Sequence, residues 1–147
     1  MQKTITFRDP EIWVNNNAIM TTKPAGSSYA DVIGQYNGGG ARIAIADMVD
    51  VPAEDFTVSV AEGFIVALLG FDAERRYLGR DDGYVGMLPW TSGNEGAVAD
   101  IHTSAAYMAI LIRRSSSGIL LARDVAEASL AITYEDENMF GGGWNYD

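Results

Sequence analysis

The side chains of this sequence that could do chemistry are few and poorly grouped. The single histidine, His102, sits in the run Asp100-Ile101-His102-Thr103-Ser104. Members of a nucleophilic triad converge from separate loops, so three such residues this close in sequence do not form one by themselves. No Gly-x-Ser-x-Gly elbow accompanies them. His102 reads as a loop histidine with an ordinary hydrogen bond. Paired acids are the next candidates: Asp81-Asp82, Asp47 with Asp50, and Glu54-Asp55. A glycosidase needs two carboxyl groups roughly 5 to 10 Å apart across a cleft. These acids fall in turn-like sequence, where Asp is favoured for local hydrogen bonding. Cysteine is absent, which removes disulfides, thiolate nucleophiles and zinc–sulfur sites. Gly38-Gly39-Gly40 neither follow a strand nor open a helix, so they do not form a phosphate cradle. The sequence predicts no catalytic residue and a protein that is not an enzyme.

The aromatic residues carry more information. Trp90, Tyr84, Tyr36, Tyr29 and Trp144 fall in predicted loops or near an end. Exposed aromatics stack on sugar faces and anchor protein interfaces, and they also serve simply to close the ends of a sheet sandwich. Trp90, Tyr84 and Tyr36 are the candidate glycan-binding residues. Met139, Phe140, Trp144 and Tyr146, spaced by Gly141-Gly142-Gly143, are the candidate assembly interface, an arm that docks its aromatics on a neighbour.

Charge narrows the partners. Twenty acidic against 10 basic residues give a formal net charge of −10 over 147 residues. Such a surface repels phosphate and offers no clustered cations for counterion release, so neither nucleic acid nor a membrane is an expected partner. No apolar run is long enough to span a bilayer. The first residues alternate and lack the apolar run of a signal peptide. The expectation is a protein that works inside a cell or leaves it within a finished particle.

The elements that must position these residues follow a period of two. Phe56-Thr57-Val58-Ser59-Val60 and Ser129-Leu130-Ala131-Ile132-Thr133-Tyr134 alternate cleanly, with Phe56, Val58, Val60, Leu130, Ile132 and Tyr134 inward. Arg42 to Ile45, Val49 to Val51, Thr4 to Phe7 and Ile12 to Val14 are shorter strands, the last two at edges. Two runs differ: Phe64 to Phe71 and Tyr107 to Ile112 are apolar on both faces. The outer face of a sandwich strand normally meets water. These two strands therefore need a cover, which could be a long loop, a terminal arm or another subunit. Asp72-Ala73-Glu74-Arg75 reads as a tight hairpin. Thr21 to Gly40 and Trp90 to Asp100 read as long loops, and Ala122 to Ala128 as a short helical connector.

The segment Gly63-Phe64-Ile65-Val66-Ala67-Leu68-Leu69-Gly70-Phe71-Asp72-Ala73-Glu74-Arg75-Arg76-Tyr77-Leu78-Gly79 follows a recurrent order: glycine, aromatic, apolar strand, aromatic–Asp turn, Tyr-Leu-Gly. Tyr107-Met108-Ala109-Ile110-Leu111-Ile112-Arg113-Arg114-Ser115-Ser116 matches its companion strand, followed by Asp124-Val125-Ala126 and a final strand. Over residues 40 to 134 this resembles the galactose-binding-like, carbohydrate-binding-module-like jelly-roll β-sandwiches of phage tail, baseplate and decoration proteins. No cofactor is expected; the resemblance allows a structural calcium, for which Asp72, Asp81 and Asp82 are the candidates by turn placement.

The expected fold is an all-β, jelly-roll-like antiparallel β-sandwich. Residues 1–40 form an N-terminal extension with edge strands and a long loop, 41–135 the sandwich module, and 136–147 a Gly-rich C-terminal arm. The expected function is that of a non-enzymatic virion structural protein, such as a head-decoration, fibre-base or collar component. Its partners would be copies of itself and other virion proteins. The alternative is a module that binds carbohydrate or a host receptor, with surface glycan as its partner.

Overall fold

The computed structural model describes residues 2–16, 24–33, 42–52, 56–79, 88–92, 96–98, 105–116 and 118–135. Among these residues, two antiparallel sheets form a sandwich. One has four strands: β1 (Gln2–Thr6), β10 (Ala131–Glu135), β5 (Phe56–Ser59) and β8 (Ala97–Val98), side by side in that order. The other has six. β2 (Trp13–Asn16), β3 (Arg42–Ile45), β9 (Tyr107–Arg114), β6 (Phe64–Phe71) and β7 (Leu88–Thr91) follow one another, and β4 (Val49–Asp50) pairs β9 in line with β3.

When the short β2 and β4 are set aside, eight strands remain, four to a sheet. Counted along the chain, their orders are first–eighth–third–sixth and second–seventh–fourth–fifth. That is the strand order of a jelly roll, two interlocked Greek keys with most connections crossing between the sheets. The expected fold class therefore stands. β1 and β2, both from the expected N-terminal extension, are edge strands as anticipated, one in each sheet.

The core between the sheets comes from the alternation that the sequence displays. Phe56, Val58, Val60, Leu130 and Ile132 from one sheet meet Ile43, Ile45, Val66, Leu68, Met108, Ile110 and Ile112 from the other. Phe7, Trp13, Leu120 and Val125 join this cluster. Trp13 is buried with its indole N–H donating to the Phe7 carbonyl at 3.3 Å, which satisfies its polar edge. Residues Ala122–Ala128 form a 3-10 helix, the short connector expected there.

A second apolar cluster lies on the far side of the six-stranded sheet. It contains Ala44, Ala67, Leu69, Phe71, Ala109 and Leu111 from the strands, with Val32, Ile33 and Tyr77 packed over them. Val32 and Ile33 belong to α1 (Tyr29–Ile33), one short helix within the segment read as a long loop. So the cover that β6 and β9 required is the chain's own loop, and Ala122–Ala128 is not the only helical stretch. The expected loop from Trp90 to Asp100 contains the end of one further strand and the whole of another. β7 contains Pro89, a residue found in sheets at edges, and β8 has only two residues. Among the described residues, no helix is long and apolar enough to cross a membrane.

Candidate functional site

The covering segment is held by backbone as well as by packing. Gly26 N–H donates to the Tyr77 carbonyl at 2.7 Å, and Tyr77 N–H returns a bond to the Ser27 carbonyl at 2.9 Å. Ser28 bridges Arg76 in antiparallel register. Tyr77 is placed for this by the hairpin after β6. There, Asp72 Oδ1 accepts from Glu74 N–H at 2.9 Å and Arg76 N–H at 3.0 Å, and Arg75 turns the chain with φ 66°. The rings of Tyr29, Phe71 and Tyr77 then stack in tilted pairs, 5.1 and 5.5 Å between centroids. Tyr29 Oη donates to the Ile45 carbonyl at 2.6 Å. Burial, to which the Asp47 carboxylate adds, pushes the Tyr29 hydroxyl far above the ordinary phenol range.

This geometry explains the Tyr-Leu-Gly signature in local terms. Tyr77 covers the second face. Gly79, at φ +81°, passes so close to the covering segment that a Cβ there would lie 2.9 Å from the Ala25 Cβ. Tyr29, read from sequence as a loop aromatic, is a member of this internal cover.

The outer face of the four-stranded sheet is of another kind. Register places Thr4, Thr133 and Thr57 in one row across β1, β10 and β5, with Thr6, Ala131 and Ser59 in the next. Thr4 Oγ1 and Thr133 Oγ1 share a hydrogen bond of 3.1 Å. Thr4, Thr6 and Thr57 are exposed, and Thr133, Ala131 and Ser59 half-buried. Short side chains on strands about 4.8 Å apart make a level surface. Across these two rows no residue is charged, in a chain whose formal charge is −10. The sequence signal for this face was the polar half of each alternation. Only the strand register shows that the threonines share a row.

The edges of both sheets are guarded. β1 carries Lys3 on the core-facing side of the strand, exposed at the end of the sheet, and an inward-pointing charge resists further strand pairing. Against β2 lies the 3-10 helix, whose Ala122 N–H donates to Asn15 Oδ1 at 2.9 Å. β7 has its proline, and β8 is too short to template another strand.

The sequence-predicted site residues fare as follows. Asp72 is described, and its carboxylate is engaged by the turn it sits in. Trp90 lies in edge strand β7. Asp47 Oδ1 accepts from the neighbouring Met48 N–H at 2.9 Å, and Asp50 is exposed in β4. Tyr36, Tyr84, Asp81, Asp82, Met139, Phe140, Trp144 and Tyr146 lie outside the described residues, as do His102, the Glu54-Asp55 pair and Gly38 to Gly40. Among the described residues, no group of three or more His, Asp or Glu side chains gathers as metal ligands would. Compared with protein-family models, curated proteins and solved structures, the chain matches none.

Proposed function

We propose that this chain is a non-enzymatic structural protein that works by packing against copies of itself and other components of a larger particle, as a phage head-decoration, fibre-base or collar piece does. The observation that carries this reading is the level, uncharged Thr4–Thr133–Thr57 row and the Thr6–Ala131–Ser59 row beside it, on a strongly acidic chain. Between copies that repel one another elsewhere, uncharged rows are where close approach costs least. Guarded edges direct any association to faces rather than to sheet extension. The apolar outer face of the six-stranded sheet does not enter the case, because α1 and Tyr77 already cover it.

Sedimentation velocity on the full chain over a range of concentrations tests the proposal. The expected result is a discrete oligomer at micromolar concentration that Thr57→Glu converts to a folded monomer. A wild-type chain that stays monomeric throughout, or an oligomer indifferent to Thr57→Glu and Thr4→Glu, overturns it. The carbohydrate-binding alternative rests on Trp90 in an edge strand. It predicts glycan-array binding that Trp90→Ala abolishes without unfolding the domain.

A further inference from the structure

β1 is tied to the sandwich through one neighbour. Its five residues pair β10 from Gln2–Glu135 to Thr6–Ala131, and no other described strand lies beside it. Gln2, Lys3, Thr4 and Thr6 are exposed, and Ile5 is half-buried against the core. Phe7 prolongs the ladder, its N–H donating to the Leu130 carbonyl at 3.4 Å, and its ring is buried. The attachment of β1 therefore rests on one backbone ladder and on the apolar side chains of Ile5 and Phe7.

The chain beyond Phe7 is fixed separately. The Asp9 carbonyl accepts from Ile12 N–H at 3.3 Å and its Oδ1 from Glu11 N–H at 2.9 Å, which closes a 3-10 turn over Pro10–Ile12. Pro10 confines Asp9 to extended backbone, and Asp9 has φ −79° and ψ 116°. Arg8, exposed, is the one residue between these two anchorages. A change of direction there redirects β1 and leaves both anchorages intact.

Every bond that β1 makes is equally available to the β1 of a second copy. The β10 ladder, the Thr133 hydroxyl and the Trp13 indole that donates to the Phe7 carbonyl are the same in each. Thr4 and Thr133 lie 129 positions apart. While the chain folds, its own β1 therefore holds little advantage at β10 over that of a neighbour. Exchange leaves each sheet with the same strands and guarded edges, so it joins copies without extending a sheet. β1 also carries Thr4 and Thr6 of the two uncharged rows.

We propose that β1 with Phe7 is an exchangeable strand, which in the oligomer pairs β10 of a second copy of this chain, with Arg8 as the hinge. This rests on the reading that copies meet through the threonine rows: contact there brings two β10 strands near one another, and exchange then locks the pair.

The chain has no cysteine, so Lys3→Cys/Tyr134→Cys introduces the only two thiols. These cross-strand partners lie on the core-facing side of their strands, where thiols of copies that touch only through outer faces do not meet. The full chain is unfolded, refolded at several concentrations and separated by size, and each fraction is oxidised with excess oxidised glutathione. Non-reducing denaturing electrophoresis then reports where the bond has formed. Chains of the monomer fraction stay single, whereas those of the oligomer fraction become covalently joined, and the share of oligomer rises with the concentration at refolding. An oligomer whose thiols close within single chains overturns strand exchange and leaves association through the face standing. A chain that forms no oligomer at any concentration overturns both. Should this variant fail to fold or to oxidise, Ile5→Cys/Ile132→Cys, the next pair on the same side, carries the same comparison.

Discussion

The four-stranded sheet leaves its outer face to water, while the six-stranded sheet is apolar on both sides and is covered on both. Each arrangement was written in the sequence by a different pattern. Phe56 to Val60 and Leu130 to Tyr134 alternate, and their polar members, Thr57, Ser59 and Thr133, form the open face. Phe64 to Phe71 and Tyr107 to Ile112 do not alternate, and the residues that an alternating strand would make polar (Ala67, Leu69, Ala109 and Leu111) lie under α1 and Tyr77. The contrast teaches that a doubly apolar strand signals a need for cover without naming the source. Here the chain itself provides it.

The sharpest way to break this comparison is to truncate one large side chain on each side of the six-stranded sheet. Phe56→Ala, in the central core, and Phe71→Ala, under the cover, should each cost about 3–5 kcal/mol in chemical denaturation. Both rings are almost wholly buried. A small loss at Phe71 alone would mean that the second cluster is not a true core. Ile33→Ala, in α1, is expected to cost about 2–3 kcal/mol, against less than about 0.5 kcal/mol for Ile119→Ala, whose side chain is 65 % exposed.

Gly79→Ala comes next, at about 2 kcal/mol, because it combines a left-handed backbone with a clash against Ala25. Tyr29→Phe removes the hydrogen bond to the Ile45 carbonyl and should cost about 1 kcal/mol in the same assay. It also has a signature in pH. The folded state holds the phenol protonated while the unfolded chain ionises near its ordinary value of 10.0. That contribution is therefore complete below pH 10.0 and declines as the pH rises above it. Denaturation midpoints of the wild type should fall in this alkaline range more steeply than those of Tyr29→Phe. Smallest of all, Thr57→Val on the open face should shift stability by less than about 0.5 kcal/mol, while making that face more apolar.

How much of this was legible follows from the size of each signal. Period-two alternation made β5 and β10 plain, and the tight turn at Asp72 was readable because Asp bonds its own neighbouring N–H groups. α1 was not readable. At five residues it is too short to show a helical period, and it is stabilised by packing on the sheet rather than by its own propensity. β7 and β8 were hidden for related reasons: Pro89 argues against a strand except at an edge, and two residues cannot display alternation. Of the candidate site residues, Asp72 and Trp90 fall within described elements. The threonine row exists only through cross-strand register. Residues 129 positions apart in sequence become neighbours there, and no local pattern encodes such a meeting.

One feature of the strand order bears on time rather than on energy. β10, the last of the described strands in sequence, is an inner member of its sheet, lying between β1 and β5. Until a ribosome has made residues 131–135, β1 has no neighbour and β5 lacks one of its two. Most of the nascent chain must therefore wait, its first strand unpaired, for its final one. Closing so long a loop makes maturation slow for a domain of this size.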